Sequence, residues 1–334
     1  MSDVKLARTI QRFQAKIDSG SYYEAHQTLR TITNRYIKAN QSEEAINLLY
    51  EGSIILSKHK QYASSSDLIL YLISIYKQFN IVGGEYKGKL IELINSIPNQ
   101  ETNNLLDISK QSIEWSRSDI NKFGDNELHN VFGIKLLKSI QEDDEDVKDE
   151  KDNINESDKV INNEEEKYKL FTIAELHLIL GTYTSVPVYV NYLYQWFEST
   201  EGDGVDAGLF LSRAIINYGY LKNLKFVKES RDLFINQLIK THTDYEIIEE
   251  NDNKIYYFKS YPLLNFLQLL IFTIEKENSS NKFLKLYDQY KSVLKTYEIL
   301  TSIEYFGKIY FNLKLGSTNN QGNILSSLMG DLFK

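Results

Sequence analysis

Segments of helical length follow one another along almost the whole chain, and this succession restricts the fold to an all-α class. Apolar residues recur at spacings of three and four, and short polar or glycine-bearing turns separate the segments. Only three prolines occur in 334 residues, which suits long helices because proline removes a backbone donor. The predicted helices cover residues 3–18, 22–38, 43–58, 65–79, 85–96, 101–117, 126–139, 167–181, 185–198, 205–220, 223–241, 261–276, 280–296 and 298–313.

Successive helices with short connections predict an α-solenoid of antiparallel helix pairs. The run Tyr23-Glu24-Ala25 recurs loosely as Glu43-Glu44-Ala45, twenty residues later. The repeats do not match the tetratricopeptide consensus, so we describe them as degenerate tetratricopeptide-like units. The helix that contains residues 67–76 has apolar groups all round, which predicts that it lies in the core.

One segment departs from the helical pattern and predicts a β-hairpin near residues 245–258. Residues that favour strands flank the turn formers Asn251, Asp252 and Asn253. A lone two-stranded hairpin is only marginally stable in water, so its apolar groups require a platform or a partner chain. The hairpin either covers the neighbouring helices or clamps a partner peptide.

The net charge of −8 is concentrated in one acidic segment. Residues 141–167 hold thirteen acids and four lysines, a local charge of −9, which leaves +1 for the rest of the chain. Few apolar residues and repelling charges predict a disordered insertion. Two functional readings stay open, an acidic lure for a basic partner and phosphorylation at Ser139 or Ser157.

The first two predicted helices are amphipathic and basic, since residues 1–40 carry a local charge of +4. In the first helix, a basic stripe lies beside an apolar one; the stripes are Lys5, Arg8, Arg12 and Lys16, and Leu6, Ile10, Phe13 and Ile17. Two basic helices in succession favour an acidic partner. Nucleic acid is a weaker candidate because the whole chain has a pI near 5.3.

The second helix combines apolar, aromatic and basic residues in a way that suits docking better than catalysis. Ser21 and Glu24 have the spacing of a capping box, which predicts a helix start at Tyr22. Its apolar stripe is Ala25, Leu29 and Ile32, and the residues that project elsewhere are His26, Arg30 and Arg35.

Catalytic and metal-binding motifs are absent from the sequence. The phosphate-loop-like run from Gly83 to Leu90 follows a helix and has leucine where magnesium needs a hydroxyl, so a turn is predicted. The five histidines never have metal-ligand spacing, and no cysteine occurs. The first eight residues lack the apolar core of a signal peptide, and the longest apolar-rich run, 263–274, is interrupted by Asn265 and Gln268, so neither a signal peptide nor a membrane span is expected. We therefore expect a cytosolic, non-enzymatic protein without cofactor or metal.

Several runs of residues resemble a known family, the fungal-type adaptor subunits of the Golgi-to-ER-traffic complex, which act in post-translational targeting of tail-anchored membrane proteins. The most specific match is the tyrosine-rich second helix. The runs are Arg12-Phe13, Ile17-Asp18, 22–32, 34–36, 66–68, 123–125, 128–130 and 265–270. The acidic insertion departs from the compact family pattern.

The resemblance implies a scaffold that bridges two partners. Residues 1–140 would dock on a dimeric targeting ATPase through Lys16, Tyr22, His26, Arg30, Arg35 and Asp67. Residues 168–315 would hold a ubiquitin-like-domain protein through Ile247, Ile255, Tyr257, Phe258, Phe266 and Leu270. A tetratricopeptide co-chaperone would be reached indirectly, without nucleic acid or membrane insertion.

Two other readings stay open at this stage. The helix pairs alone would also fit a scaffold subunit of another cytosolic complex, such as a proteasome-lid or signalosome-like assembly. A hydrolase would instead require acids and histidines gathered in a cleft. Residues 316–334 read as a flexible tail whose apolar residues repeat at helical spacing, so a docking helix is the alternative.

Overall fold

The computed structural model describes residues 2–149, 157–200, 204–250 and 253–316. Its helices are α1 Ser2–Asp18, α2 Tyr22–Lys38, α3 Ser42–Lys58, α4 Tyr62–Gln78, α5 Gly84–Ser96, α6 Thr102–Ser116, α7 Asn126–Asp149, α8 Ser157–Ile179, α9 Ser185–Thr200, α10 Ala207–Tyr220, α11 Leu224–Thr241, α12 Pro262–Ile274, α13 Ser280–Thr296 and α14 Leu300–Phe311. Strands β1 Glu246–Glu250 and β2 Asn253–Tyr257 form an antiparallel hairpin. The predicted all-α solenoid with one β-hairpin is confirmed.

A twenty-residue period governs the first four helix ends. Each of these helices is followed by a residue in the left-handed conformation, namely Gly20, Asn40, Lys60 and Asn80, with φ of 77°, 56°, 59° and 50°. In each case the N–H of the following residue donates to a carbonyl one turn back in the helix, at 2.8 to 2.9 Å. This is the Schellman ending, which satisfies carbonyls that a helix end leaves free. Because these endings recur every twenty residues, α2, α3 and α4 each have the same length of 17 residues.

The same period sets which residues form the core of these helices. Ala25, Ala45 and Ser65 occupy equivalent positions and are completely buried. Leu29, Leu49 and Ile69, four residues further on, are also buried. The loose recurrence seen in the sequence is therefore a regular repeat of one helix every twenty residues. The predicted core helix is confirmed as α4, which buries residues on several sides.

The chain divides into two compact units, Met1–Thr182 and Tyr183–Lys334. In the first unit, α1, α3, α5 and α7 pack successively, as do α4 and α6 beside them. The unit extends past residue 140 because α8 packs along α7. In the second unit, α10 packs against α9, α11, α12 and α14.

Helices α7 and α8 extend further into the acidic segment 141–167 than the sequence predicts. Helix α7 continues to Asp149, and α8 begins at Ser157. The start of the segment is tied to the preceding helices because Glu142 accepts hydrogen bonds from Asn99 and Gln100, at 2.9 and 2.8 Å. Residues 150–156 and the predicted tail beyond residue 316 lie outside the described residues, so disorder there stays a prediction.

Ser139 is not a phosphorylation site in this fold. Its side chain is completely buried, and its hydroxyl lies 3.2 Å from that of Thr102. A kinase could not reach this hydroxyl without opening the contact between α6 and α7.

A buried histidine pair joins α7 to α8. His129 Nδ1 lies 2.8 Å from His177 Nδ1, and His129 Nε2 donates to the Phe123 carbonyl at 2.9 Å. A neutral His129 then has its lone pair on Nδ1, so His177 donates its Nδ1–H. Burial lowers the pKa of His129 to about 4, and burial next to His129 lowers the pKa of His177 well below its ordinary value. Both imidazoles are therefore neutral in the folded protein at pH 7.

Asp206 joins the starts of two helices in the second unit. Its carboxylate accepts from the N–H of Gly208 at the start of α10, and from those of Leu263 and Leu264 at the start of α12, at 2.7, 2.6 and 3.2 Å. Burial raises the pKa of Asp206 to about 6, against the three N–H donors, which favour the charged form. This one side chain caps α10 and α12 together.

The described residues contain neither a membrane-spanning helix nor a metal-binding cluster. No helix within the ranges given above is both long and apolar enough to cross a bilayer. Over the same ranges, no three histidine, aspartate or glutamate side chains come together in an arrangement that could hold a metal ion.

Candidate protein-docking surfaces

Helix α2 begins at Tyr22, as the sequence predicts, but not through a capping box. Ser21 occupies the N-cap position, and its side chain makes no capping hydrogen bond. Glu24 instead lies 3.7 Å from the Lys16 ammonium of α1. The start of α2 is set by the preceding Schellman turn, in which the Ser21 N–H donates to the Lys16 carbonyl at 2.9 Å.

Two predicted docking residues of α2 meet the same carboxylate on α4. His26 Nε2 donates to Asp67 Oδ2 at 2.7 Å, and Arg30 Nη1 donates to the same oxygen. His26 is buried, so the prediction that it projects from the core is wrong. The reason is that Asp67, forty-one residues later in the chain, supplies the partner that lets this imidazole be buried. His26 orients Asp67, and only 11% of its side chain is exposed; its contact with a partner stays a prediction.

Arg30 is held between this carboxylate and an aromatic ring. Its guanidinium carbon lies 5.0 Å from the centre of the Tyr71 ring, within cation–π range. The Tyr71 hydroxyl donates to Asn34 Oδ1 at 2.6 Å, and burial raises the pKa of Tyr71, although Arg30 opposes the shift. Arg30 keeps about a third of its side chain exposed (36%). An oriented, partly exposed guanidinium with spare N–H donors suits recognition of a carboxylate.

The remaining predicted residues of this surface lie around α2. Tyr22 is half-buried, with its ring 6.2 Å from that of His59. Lys16 donates to Thr28 Oγ1 at 3.1 Å. Arg35 is exposed, and within the described residues it makes no ion pair. Because each helical residue turns by roughly 100°, Arg30 and Arg35 point about 140° apart. A flat partner therefore could not contact both in the same way.

Tyr23 is a surface residue that the sequence analysis did not select. Its side chain is 76% exposed, on the side of α2 opposite Ala25 and Leu29. Large rigid aromatic side chains are enriched at the centres of protein interfaces. The apolar stripe of α2 could have identified Tyr23 as a surface residue, because a helix residue that lies away from this stripe faces solvent.

The β-hairpin has two faces, and its predicted binding residues divide between them. Register pairs Ile248 with Ile255 and Glu246 with Tyr257, so Ile248, Ile255 and Tyr257 share one face. Ile247 pairs with Tyr256 and lies on the other face. Ile248 was missed by the sequence analysis, although strict alternation from Ile255 across the predicted turn could have identified it.

Helix α12 provides the platform that the hairpin was predicted to need. The Gln268 carboxamide bonds the N–H and the carbonyl of Tyr256, at 3.1 and 2.8 Å. The Asn265 carboxamide does the same for Phe258, at 3.0 and 2.6 Å. These two buried side chains satisfy the outward backbone groups of Tyr256 in β2, and of Phe258 just after it, without another chain.

Three predicted partner-binding residues lie in the core of the second unit. Phe258 is 2% exposed, and Phe266 and Leu270 are fully buried. They face inward because α12 packs on both α10 and α13, which leaves little of its surface free. A partner would therefore not touch them directly, and their part is to hold the hairpin and α12 in place.

The exposed apolar face of the hairpin continues towards α13. Ile248 and Tyr257 are 46% and 38% exposed, and Ile255 is half-buried between them in the register. Tyr290 of α13 contacts Phe266, with ring centres 5.5 Å apart. Burial and the nearby Tyr257 raise the pKa of Tyr290. We call Ile248, Ile255, Tyr257 and Tyr290 the hairpin surface.

Comparison with known proteins identifies relatives along almost the whole chain. The family profile described as "Golgi to ER traffic protein 4" matches residues 39–333. The protein of that name from Aspergillus fumigatus is 30% identical over 98% of this chain and 90% of its own length. The one from Schizosaccharomyces pombe is 29% identical over 93% and 90%, and the human homologue 24% identical over 96% and 85%.

A solved structure has the same fold. The crystal structure of Get4 from C. therm. superposes with a TM-score of 0.76 and 26% sequence identity. The superposition covers 99% of this chain and 96% of the other. The likeness therefore extends through both compact units.

Proposed function

Because this chain belongs to the Golgi to ER traffic protein 4 family, we propose that it is a non-enzymatic adaptor of the Golgi-to-ER-traffic complex. It would act in the cytosol, in post-translational targeting of tail-anchored proteins to the ER membrane. Its first unit would bind a dimeric targeting ATPase, and its second unit a ubiquitin-like-domain protein. That second partner would bring a tetratricopeptide co-chaperone and its client.

The observation that carries this proposal is the arrangement around Arg30. Asp67 and the Tyr71 ring hold the guanidinium in one orientation before any partner arrives. Binding then costs less side-chain entropy than it would with a free arginine. Arg35 and Lys16 extend the positive charge along α2 and α1, which favours a partner surface rich in carboxylates.

An adaptor can regulate the ATPase only by binding one of its nucleotide states more tightly than another. We expect this chain to bind the ATP-loaded ATPase, with an affinity that differs from its affinity for the nucleotide-free form. Calorimetry with each form of the ATPase encoded in the same genome would measure the difference.

Loss of positive charge at Arg30 is expected to weaken ATPase binding at least tenfold. Arg30→Gln removes the charge but keeps a donor that can reach Asp67, so His26 and Asp67 stay paired. Arg35→Glu tests the other side of α2 separately. Affinity is measured by calorimetry with the full chain and the ATPase.

Two controls accompany these variants. Gln27→Glu adds a negative charge on an exposed position of the same helix and is expected to leave the affinity within about twofold of wild type, since rim charges contribute little. Binding of the ubiquitin-like partner should not change in any variant. Wild-type ATPase affinity in both Arg30→Gln and Arg35→Glu would refute the docking assignment.

For the second partner we propose that the hairpin surface, and not the opposite face, makes the contact. The hairpin offers a matched pair of variants, because Ile247 and Ile248 are neighbours with similar exposure, 50% and 46%, on opposite faces. Ile248→Asp is expected to weaken binding of the ubiquitin-like protein at least tenfold, since a carboxylate would be desolvated against apolar groups. Ile247→Asp should bind as wild type. Equal loss in both variants would contradict the choice of face.

A further inference from the structure

A groove between α1 and α2 has an apolar floor and a basic rim. Its volume is about 160 Å³. The floor consists of Phe13, Ala25, Leu29 and Ile32, and the rim of Thr9, Arg12, Lys16 and Thr28. We call it the α1–α2 groove. None of the docking residues implied by the family resemblance except Lys16 lines it.

The residues of the floor are packed between α1 and α2, and the groove lies on the surface above them. Phe13 and Leu29 are only 5% and 1% exposed, so they form its base, while Ile32 is half-buried at one end. Lys16 donates to Thr28 Oγ1 at 3.1 Å and so joins the two sides of the rim. A space of this size and lining suits one apolar side chain and not a polar ligand.

The charge around the groove indicates what would carry that side chain. Arg8 and Arg12 are exposed and lie one turn apart on α1, in line with Lys16. Arg35, seven residues after Thr28, lies on the same side of α2. The acid beside them is Glu24, at 3.7 Å from Lys16. A segment with carboxylates on either side of an apolar residue would complement both the floor and the rim.

We propose that the α1–α2 groove receives one apolar side chain from an acidic segment of the ATPase that docks on α2. The inference rests on the proposed function, and it extends the docking surface from Lys16 further along α1, to Arg12 and Thr9. A second copy of this chain fits less well, because residues 1–40 carry a charge of +4 and two such surfaces would repel. The apolar side chain in the groove would lie beside Arg35, so Arg35 would contact a different part of the ATPase from Arg30.

The test fills the groove without changing charge. Thr28→Phe places a ring over the floor, whereas Thr31→Phe places the same ring outside it. Both threonines are exposed, and each hydroxyl donates to the carbonyl four residues earlier, that of Glu24 or of Gln27, at 2.7 and 2.9 Å. They differ in that Thr28 also accepts from Lys16 at 3.1 Å. Thr28→Phe is expected to weaken binding of the nucleotide-loaded ATPase at least tenfold, and Thr31→Phe less than twofold. Thermal unfolding of each variant shows whether it is folded.

The outcomes separate the groove from the docking proposal. If wild type binds the ATPase, Arg30→Gln weakens binding and Thr28→Phe does not, the groove proposal is overturned and the docking proposal stands. If light scattering shows that wild type is a dimer and Thr28→Phe a monomer, a second copy occupies the groove and the proposal is also overturned. If wild type does not bind the ATPase, both proposals fail. A loss in Thr28→Phe but not in Thr31→Phe, together with a loss in Arg12→Glu, supports the groove.

Discussion

Substitution Gly208→Ala is expected to destabilise the second unit by about 3 kcal/mol or more. A Cβ at position 208 would lie 2.3 Å from the backbone nitrogen of Leu264 and 2.7 Å from the carbonyl carbon of Leu263. These are backbone atoms at the start of α12, so a side-chain rotation cannot relieve the clash. Moving α12 would also break the bonds from Leu263 and Leu264 to Asp206.

A glycine-to-alanine substitution in α5 should change the free energy of unfolding in the opposite direction. Gly88 lies inside α5, and a Cβ there would meet nothing within 4 Å. Gly88→Ala is therefore expected to stabilise the first unit by about 1 kcal/mol, because alanine has the higher helix propensity.

Each unit contains one tryptophan, which allows the two to be followed separately. Trp115 lies in α6, and Trp196 in α9 contacts Phe210 of α10, with ring centres 5.5 Å apart. Urea unfolding followed by fluorescence, in Trp115→Phe and Trp196→Phe backgrounds, reports one unit at a time. A Gly208→Ala protein within 0.5 kcal/mol of wild type, on the scale of an ordinary surface substitution, would contradict the close approach of α10 and α12.

Acid is expected to destabilise the first unit through the His129–His177 pair. The pKa of His129 is lowered in the fold to about 4, and that of His177 is lowered as well. A depressed folded pKa gives stability that is fully present above the unfolded value, near 6.5, and is lost as the pH falls towards the folded value. Between pH 7 and pH 5, His129 alone should remove about 2 kcal/mol, and His177 adds to this loss.

The measurement compares pH dependence, because other groups also titrate in this range. Unfolding of the first unit is followed by Trp115 fluorescence at pH 7, 6 and 5. The double variant His129→Gln with His177→Leu is expected to be less stable at pH 7 but to lose less stability on acidification. His59→Gln removes an imidazole outside the pair and serves as the control. A double variant with the wild-type pH dependence would contradict the assignment.

The sequence predicts the residues of the candidate surfaces only where helical periodicity decides which side chains are buried. The apolar stripe of α2 separates Ala25 and Leu29 from Arg35, and the structure buries the first two and exposes the third. Ile32 is only half-buried, since it lies at the edge of the α1–α2 groove. Helical periodicity does not predict the burial of His26, because a polar residue is expected to be exposed until its partner on another helix is known.

Polar residues within apolar runs show the same limit. Asn265 and Gln268 interrupt the apolar run of α12, yet both are almost completely buried. Their carboxamides bond the backbone of Tyr256 in β2 and of Phe258, the residue that follows β2. In sequence they resemble surface positions. Only the placement of the hairpin against α12 makes them part of its support.

The amino-acid sequence by itself determines where the helices lie, the twenty-residue spacing of the first four helix ends and the position of the hairpin. These depend on interactions between residues a few positions apart, such as the Schellman bonds after Gly20 and Asn40. The tertiary structure decides which polar groups are buried and which cations remain for a partner. That choice depends on pairs such as His26 with Asp67, or His129 with His177, whose members are more than forty residues apart and meet only when the helices pack.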